Sequence, residues 1–397
     1  MRVCGVIAEY DPFHKGHGYH LRQAREASRA DYMVCVLGGA FSQRGEPMLF
    51  ETFDRARMAL ESGFDLALGM PFCFSCAQAN RFAAGGVGVL ARLGVVTHLS
   101  FGCEPEGLPW LAETAGLLNR PDAAFLQDLR QGLDGGLPFA RAQGLAVERR
   151  IPGYPAGLMA APNFILGVSY MRELLRRDGG IEALPVGRTT DYRSLAPGPV
   201  ASAGAVRALI LEGKADDALD ACPEGSRSVV AEAINEGRLH RPGALDRALL
   251  ARLLNDPRPA LRQSPEVSEG LEERIRRLSR RADSRKALIE LVKTRRYPYA
   301  RISRALSHLL VGAEHFPEAP AYARLLGFRR RAAPLLAAIA KGGFPLVSRP
   351  ARSGFPGVRE DLRAEELWAI GSGLPAAAAW EKQVVLMDGR KDGHIDA

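Results

Sequence analysis

Long apolar runs are missing from this 397-residue chain. None approaches the ~20 unbroken apolar residues of a membrane helix, and the mean hydropathy is −0.09. The opening MRVCGVIAEY lacks the basic start, extended apolar stretch and small-residue cleavage site of a signal peptide. Cysteine is scarce. Its six positions, Cys4, Cys35, Cys73, Cys76, Cys103 and Cys222, are scattered and mostly lie in apolar runs. That pattern fits a reduced cytoplasmic protein and not a disulfide scaffold. Cys73 and Cys76 have no second pair at zinc-site spacing, and no internal repeat is visible. These absences speak against secretion, membrane spanning, a collagen-like fibre and wholesale disorder. With 47% hydrophobic residues the chain can bury a sizeable core. At roughly 100–200 residues per domain it has room for two.

The net charge of +8 is unevenly placed. Residues 1–150 carry 15 Lys and Arg against 16 Asp and Glu, whereas residues 271–350 carry 18 against 6, a net of +12. Basicity concentrated in one block is the electrostatic footprint of a polyanion such as nucleic acid. A solvated helical face in an arginine-rich protein is the alternative.

The first half alternates short apolar runs with amphipathic segments. Strands are expected at residues 2–10, 32–38, 65–72 and 98–104, with helices at 17–29, 53–62 and 79–93. Such alternation implies βαβ units and a parallel sheet covered by helices. Ligands of such sheets sit beyond the C-terminal strand ends. Residues 105–157 are less regular, with helical spacing at 108–118 and 123–131 and then the turn-rich GLDGGLPF and IPGYPAG. A helix at 163–177, a fifth strand at 182–188 and a Pro/Gly loop at 189–199 follow. Ser202 then caps a helix. Beyond Gly213 the pattern reads as helical, at 226–235, 243–254, 272–294, 300–310, 320–328 and 332–340. The expected architecture is α/β: a Rossmann-like parallel-sheet domain over residues 1–220, then a mostly α-helical basic domain over 221–397.

The sharpest chemistry lies in Glu9-Tyr10-Asp11-Pro12-Phe13-His14-Lys15-Gly16-His17. A strand ends, the chain turns at Asp-Pro, and His-x-Gly-His enters a helix. A helix N-terminus offers unpaired N–H groups and partial positive charge to an anion. Gly16 lets backbone approach a ligand. His14 and His17 add two imidazoles, and His20 lies one turn beyond. Donors aimed at a phosphate can stabilise a phosphoryl- or nucleotidyl-transfer transition state. Surface histidines or a zinc site are the plainer alternatives.

GVIAEYDPFHKGHGYHL resembles the first signature of the HIGH-type nucleotidylyltransferase superfamily. Further segments occur in order: LGGAFSQRGEP (37–47), FDRARMALESGFDL (53–66), MPFCFSCAQANRFA (70–83), LSFGCE (99–104), APNFILGVSY (161–170), RYPYARISRALSHLL (296–310) and YARLLGF (322–328). Together they resemble the tRNA(Met) cytidine acetate ligases over most of the chain. The resemblance implies activation of acetate by ATP, with Mg²⁺, to acetyladenylate and pyrophosphate. The acetyl group then passes to N4 of the wobble cytidine of elongator tRNA(Met). The implied catalytic residues are His14, His17 and Lys15. The implied ATP loop is Ile7, Ala8, Glu9, Tyr10, Asp11, Pro12, Phe13, His14, Lys15, Gly16, His17, Gly18, Tyr19 and His20, joined by Gly102, Asn163, Arg188 and Thr189. Ser202 and Arg207 lie in ASAGAVR, which resembles the second superfamily signature.

Basic and aromatic residues interleave in KTRRYPYARISR (293–304), a pattern suited to tracking an RNA backbone and stacking on unpaired bases. Arg295, Arg296, Arg301, Arg304, Arg329 and Arg330 are expected to meet tRNA there, with Arg44 overhanging the crevice. Phe41, Phe72 and Phe74 could line an acetate pocket, or pack the core. The chain departs from the family pattern at Lys15, where Asn is common, and at Ala40, Gly69 and Gly204, where Asn, Glu and Thr are usual. A small-molecule adenylyltransferase and a non-catalytic nucleotide- and RNA-binding protein are the other readings. The basic C-terminal block argues against the first, and acetate-dependent pyrophosphate release would exclude the second.

Overall fold

A computed structural model of the chain describes residues 1–177, 180–187 and 202–388. The early strands are apolar runs: β1 (Val3–Ala8), β2 (Tyr32–Leu37), β3 (Leu66–Gly69) and β4 (His98–Cys103). Helices α1 (Lys15–Ser28) and α2 (Thr52–Glu61) join the first three. The short α3 (Phe72–Ser75) and then α4 (Ala79–Arg92) lead into β4. Four helices, α5 (Leu111–Asn119), α6 (Ala123–Asp134), α7 (Phe139–Arg150) and α8 (Pro162–Arg176), precede β5 (Glu182–Gly187). Strands β5, β4, β1, β2 and β3 lie side by side in that order, all parallel. The chain leaves β1 toward β2 and later returns to its other side as β4. The C-terminal ends of β1 and β4 therefore flank the point where strand order reverses, the crevice where such sheets bind ligands.

Alternation along β1 divides the core. Val3 and Ile7 pack with Val87, Leu90, Leu111 and Phe164 under α4, α5 and α8. Cys4 and Val6 face the opposite layer, with Leu21, Phe53 and Leu60 of α1 and α2. Each large apolar side chain buried this way contributes about 1.5–3 kcal/mol. A third cluster joins Phe41 and Phe72 to Leu249, Ile275, Leu288, Ile302, Leu306 and Trp368 of the later helices.

The second half departs from the expected run of helices. Residues 320–328, expected as helix, contain strand β6 (Ala323–Arg329). It runs antiparallel to β3, with Leu66 opposite Phe328 and Gly69 opposite Arg324. Two short strands, β7 (Leu346–Val347) and β8 (Val385–Met387), pair with β6 in turn. A short apolar run does not distinguish strand from helix by its period; the available edge of β3 decides. The helix expected over 272–294 is two, Leu271–Ser279 and Arg285–Val292, the second capped by Ser284 accepting from the Ala287 N–H at 3.2 Å. Helix α7 forms between the two turn-rich segments and packs on α6.

The expected division at residue 220 does not coincide with a break in packing. Val206 of the Ala203–Leu211 helix, Val229 and Val230 of the Glu224–Asn235 helix, and Leu326 of β6 all share the core of α1 and α2. Residues 1–220 expressed alone are therefore expected to lack the cooperative thermal transition that the full chain shows by circular dichroism. A cooperative transition in the shorter chain would show that the sheet closes without β6.

Candidate active site

Strand β1 ends at Ala8, and the chain then makes a constrained turn. Tyr10 takes a left-handed conformation, φ 50°, which costs a non-glycine residue about 1–2 kcal/mol. Its ring is buried against Phe13 and His17, both at 4.7 Å between centroids. Asp11, also buried, accepts from the backbone N–H of Leu49 at 3.0 Å and of Phe50 at 2.8 Å. The Asp11–Pro12 peptide is cis.

His14 then caps α1. Its Nδ1 accepts from the Gly16 N–H at 3.0 Å, and its own backbone N–H donates to His17 Nδ1 at 3.3 Å. This is a capping box built from two histidines, with ring centroids 3.7 Å apart. Because both Nδ1 atoms accept, the neutral rings carry their protons on Nε2. The turn thus holds two imidazoles in one tautomer, each a donor through Nε2–H, beside the positive end of a 14-residue helix. His20, one turn on, reaches Ser100 Oγ of β4 at 3.0 Å and so links the two sides of the crevice. The Lys15 backbone N–H donates to the Ala221 carbonyl at 2.9 Å, and Ile7, Gly18 and Tyr19 sit on the same strand and helix.

The loop is held from behind by Arg55, which is fully buried. Its guanidinium donates to the carbonyls of Glu9 (2.8 Å), Gly38 (2.9 Å), Gly39 (2.6 Å) and Phe50 (3.2 Å), and to Thr52 Oγ1 (3.2 Å). Burial pulls the Arg55 pKa below its ordinary value, and the Asp11 and Glu9 carboxylates oppose that pull. Burial likewise raises the carboxyl of Glu9, while its hydrogen bond from the Gln43 N–H at 2.6 Å lowers it.

Several expected ligands have other partners. Arg207 donates to the Asp11 carbonyl at 2.6 Å and lies 3.7 Å from its carboxylate, tying the second signature to the first. Ser202 caps its helix by accepting from the Ala205 N–H at 3.2 Å. Asn163 does not cap α8; Ala161 stands at that position and Pro162 begins the helix. Asn163 instead donates its backbone N–H (3.2 Å) and its Nδ2–H (2.8 Å) to Glu104 Oε1. Glu104, just past β4, is the site residue that the sequence reading passed over, although it ends the matched segment LSFGCE. Gly102 lies in β4 opposite Val186. Arg188 and Thr189 lie outside the described residues.

The basic residues divide in two. Arg304 is largely buried, paired with Glu266 at 2.8 Å and donating to the Gln43 carbonyl at 3.4 Å. Arg301 donates to the Glu266 carbonyl at 2.8 Å and to Ser268 Oγ at 2.6 Å, over the ring of Tyr297. Arg329 donates to the Leu60 and Phe64 carbonyls at the end of α2. These three, expected at an RNA surface, hold structure together: a guanidinium fork satisfies several carbonyls at once. Arg44, Arg295 and Arg296 are exposed, Arg296 with Glu269 at 3.3 Å. Arg330 is exposed and paired with Asp388. The three phenylalanines share no pocket, since Phe41 and Phe72 pack with the later helices and Phe74 with the sheet. Among the described residues no group of three or more His, Cys, Asp or Glu side chains could hold a metal ion. No described helix is long and apolar enough to cross a membrane.

The HIGH Nucleotidyl Transferase family model matches residues 1–378. Among curated proteins, the tRNA(Met) cytidine acetate ligase of Fervidobacterium nodosum is 33% identical over 86% of this chain and 82% of its own length. The ligase of the same name from Clostridium perfringens is 31% identical over 86% of this chain and 88% of its own. This chain belongs to the tRNA(Met) cytidine acetate ligase family. Its fold agrees with the crystal structure of Thermotoga maritima TmcAL bound with alpha-thio ATP, at a TM-score of 0.87 and 28% identity, covering 98% of this chain and 100% of that one.

The buried arginines define a test. Arg55→Ala and Arg304→Ala are expected to lower the unfolding free energy by roughly 3–5 kcal/mol, the cost of stripping a buried charged group from its partners. Arg296→Ala is expected to leave it nearly unchanged. Urea unfolding of the three variants separates the two classes, and equal midpoints would refute the division.

Proposed function

We propose that this chain is an ATP-dependent ligase that activates acetate and acetylates N4 of the wobble cytidine of elongator tRNA(Met). The observation that carries the reading is the His14–His17 capping box, two fixed Nε2–H donors at the start of α1 in a chain of this family. In the first step an acetate oxygen attacks the α-phosphorus of ATP. The new O–P bond forms as the bond to the bridging oxygen breaks, and pyrophosphate leaves. Charge builds on the phosphate oxygens, where the imidazole donors and the helix N-terminus stabilise it. Lys15, the residue after His14, adds a cation at the same end. In the second step the cytidine amine attacks the acetyl carbon, the bond to the AMP oxygen breaks, and one proton leaves the amine. No protein nucleophile is required.

Mg²⁺ would enter with the triphosphate as part of the substrate. The exposed Arg44, Arg295, Arg296 and Arg330 are the residues of the expected RNA surface left to meet phosphates. Arg188 and Thr189 remain proposed nucleotide contacts on the resemblance.

Incubating the protein with ATP, labelled acetate and tRNA, then digesting the tRNA to nucleosides, tests the reading. Labelled N4-acetylcytidine is the expected product. His14→Ala and His17→Ala are expected to abolish acetate-dependent pyrophosphate release, with His14→Ala also costing about 1 kcal/mol of helix capping. Pyrophosphate release without labelled nucleoside would point instead to a small-molecule adenylyltransferase. Arg295→Ala and Arg296→Ala are each expected to weaken tRNA binding and reduce the salt slope by about 1. An unchanged slope would remove these side chains from the RNA surface.

A further inference from the structure

Glu104 and Asn163 meet where α8 begins, beside the end of β4. Oε1 of Glu104 takes the backbone N–H and one Nδ2–H of Asn163, while Oε2 is out of contact with water and has no hydrogen-bond partner. An ionised carboxylate can only accept. The edge of the Asn163 carboxamide that faces Glu104 is therefore its NH2 edge, and the carbonyl Oδ1 lies on the other edge. A carboxylate oxygen kept from both water and donors costs stability, so folding alone gives no reason for the arrangement. What it supplies is a fixed direction for the amide.

We infer that Glu104 is a positioning residue for nucleotide recognition: it fixes the Asn163 carboxamide so that its carbonyl acceptor is presented to the nucleoside half of ATP. The inference rests on the ATP reading above. Charge sets the orientation. A carboxylate repels a triphosphate, which is drawn to the imidazoles and helix N-terminus at the β1 end, and the nucleoside is left to the β4 end. The chemistry recognised is an uncharged N–H or O–H donor, either the exocyclic amine of adenine or a ribose hydroxyl. A carbonyl oxygen has two lone pairs and accepts from a ligand beside any contact it makes within the protein. Hypoxanthine carries an acceptor oxygen in place of the adenine amine, so the locked amide would reject it.

The test is equilibrium binding of ATP, inosine triphosphate, 2′-deoxyATP and 3′-deoxyATP to the full chain and its variants. Glu104→Ala is expected to weaken ATP about tenfold, the scale of one charge-assisted hydrogen bond, and to narrow discrimination against one analogue. If that analogue is inosine triphosphate, the donor is the amine; if a deoxy nucleotide, the ribose. Glu104→Gln retains most of the affinity, because its carbonyl accepts the same two N–H groups. The double variant Glu104→Ala/Asn163→Ala binds no more weakly than Asn163→Ala. Unchanged affinity and unchanged ratios in Glu104→Ala, or losses that add in full, overturn the inference. Should Glu104→Ala not fold, Asn163→Asp decides. Two facing carboxylates predict ATP affinity that rises as pH falls and they share a proton, and a flat profile overturns the inference. A wild-type protein that binds ATP but does not acetylate cytidine would sink the proposed function and leave these ratios to judge Glu104. Unchanged ratios in an acetylating enzyme would do the reverse.

Discussion

One buried guanidinium holds the nucleotide end of this fold together. Arg55 spans the carbonyls at the ends of β1 and β2 and of the segment leading into α2, using five hydrogen bonds and no contact with water. Those carbonyls belong to loops that leave a sheet edge and have no ladder partners of their own. An unsatisfied buried carbonyl costs about 1–3 kcal/mol, so a single planar donor fork stabilises several turns at once. The strained Tyr10 and the histidine cap lie on the loop it clasps.

From that clasp the contacts run outward to the later helices. Glu9 accepts from the Gln43 N–H, and the Gln43 carbonyl accepts from Arg304 in the Tyr299–Val311 helix. Gly45, with φ +83°, lies so close to that helix that a Cβ would stand 2.5 Å from the Arg304 nitrogen. The Gly45 carbonyl accepts from Ser307 Oγ and from the half-buried Arg285. His308 of the same helix bridges Ser264 and the Cys76 carbonyl, and burial lowers its pKa to about 4, so it stays neutral near pH 7. The loop over the crevice and the basic helices are therefore one packed unit.

Much of the site was legible because its signals are local. A strand, a turn at Asp-Pro and His-x-Gly-His before a helix describe the cap of α1 within a few residues, and the structure places both imidazoles there. Partners far along the chain are not legible in that way. Arg301, Arg304 and Arg329 read as a polyanion surface because charge density is visible in a sequence and the partner of a charge is not. Glu266 lies 38 residues before Arg304, and the Leu60 carbonyl lies 269 residues before Arg329. Glu104 was missed for the same reason, since its meaning comes from Asn163, 59 residues on.

Residue order and periodicity were enough for the βαβ half, the switch point between β1 and β4, and the histidine-capped helix start, because hydrophobic alternation and capping act over a few residues. They were not enough for β6. YARLLGF carries no period that separates strand from helix, and it became a strand because β3 left backbone donors and acceptors unpaired along one edge. Nor could they say which arginines face water. That depends on where the chain, 38 residues away for Arg304 and 269 for Arg329, lays a carboxylate or a helix end beside each one, and such meetings exist only once the layers have packed.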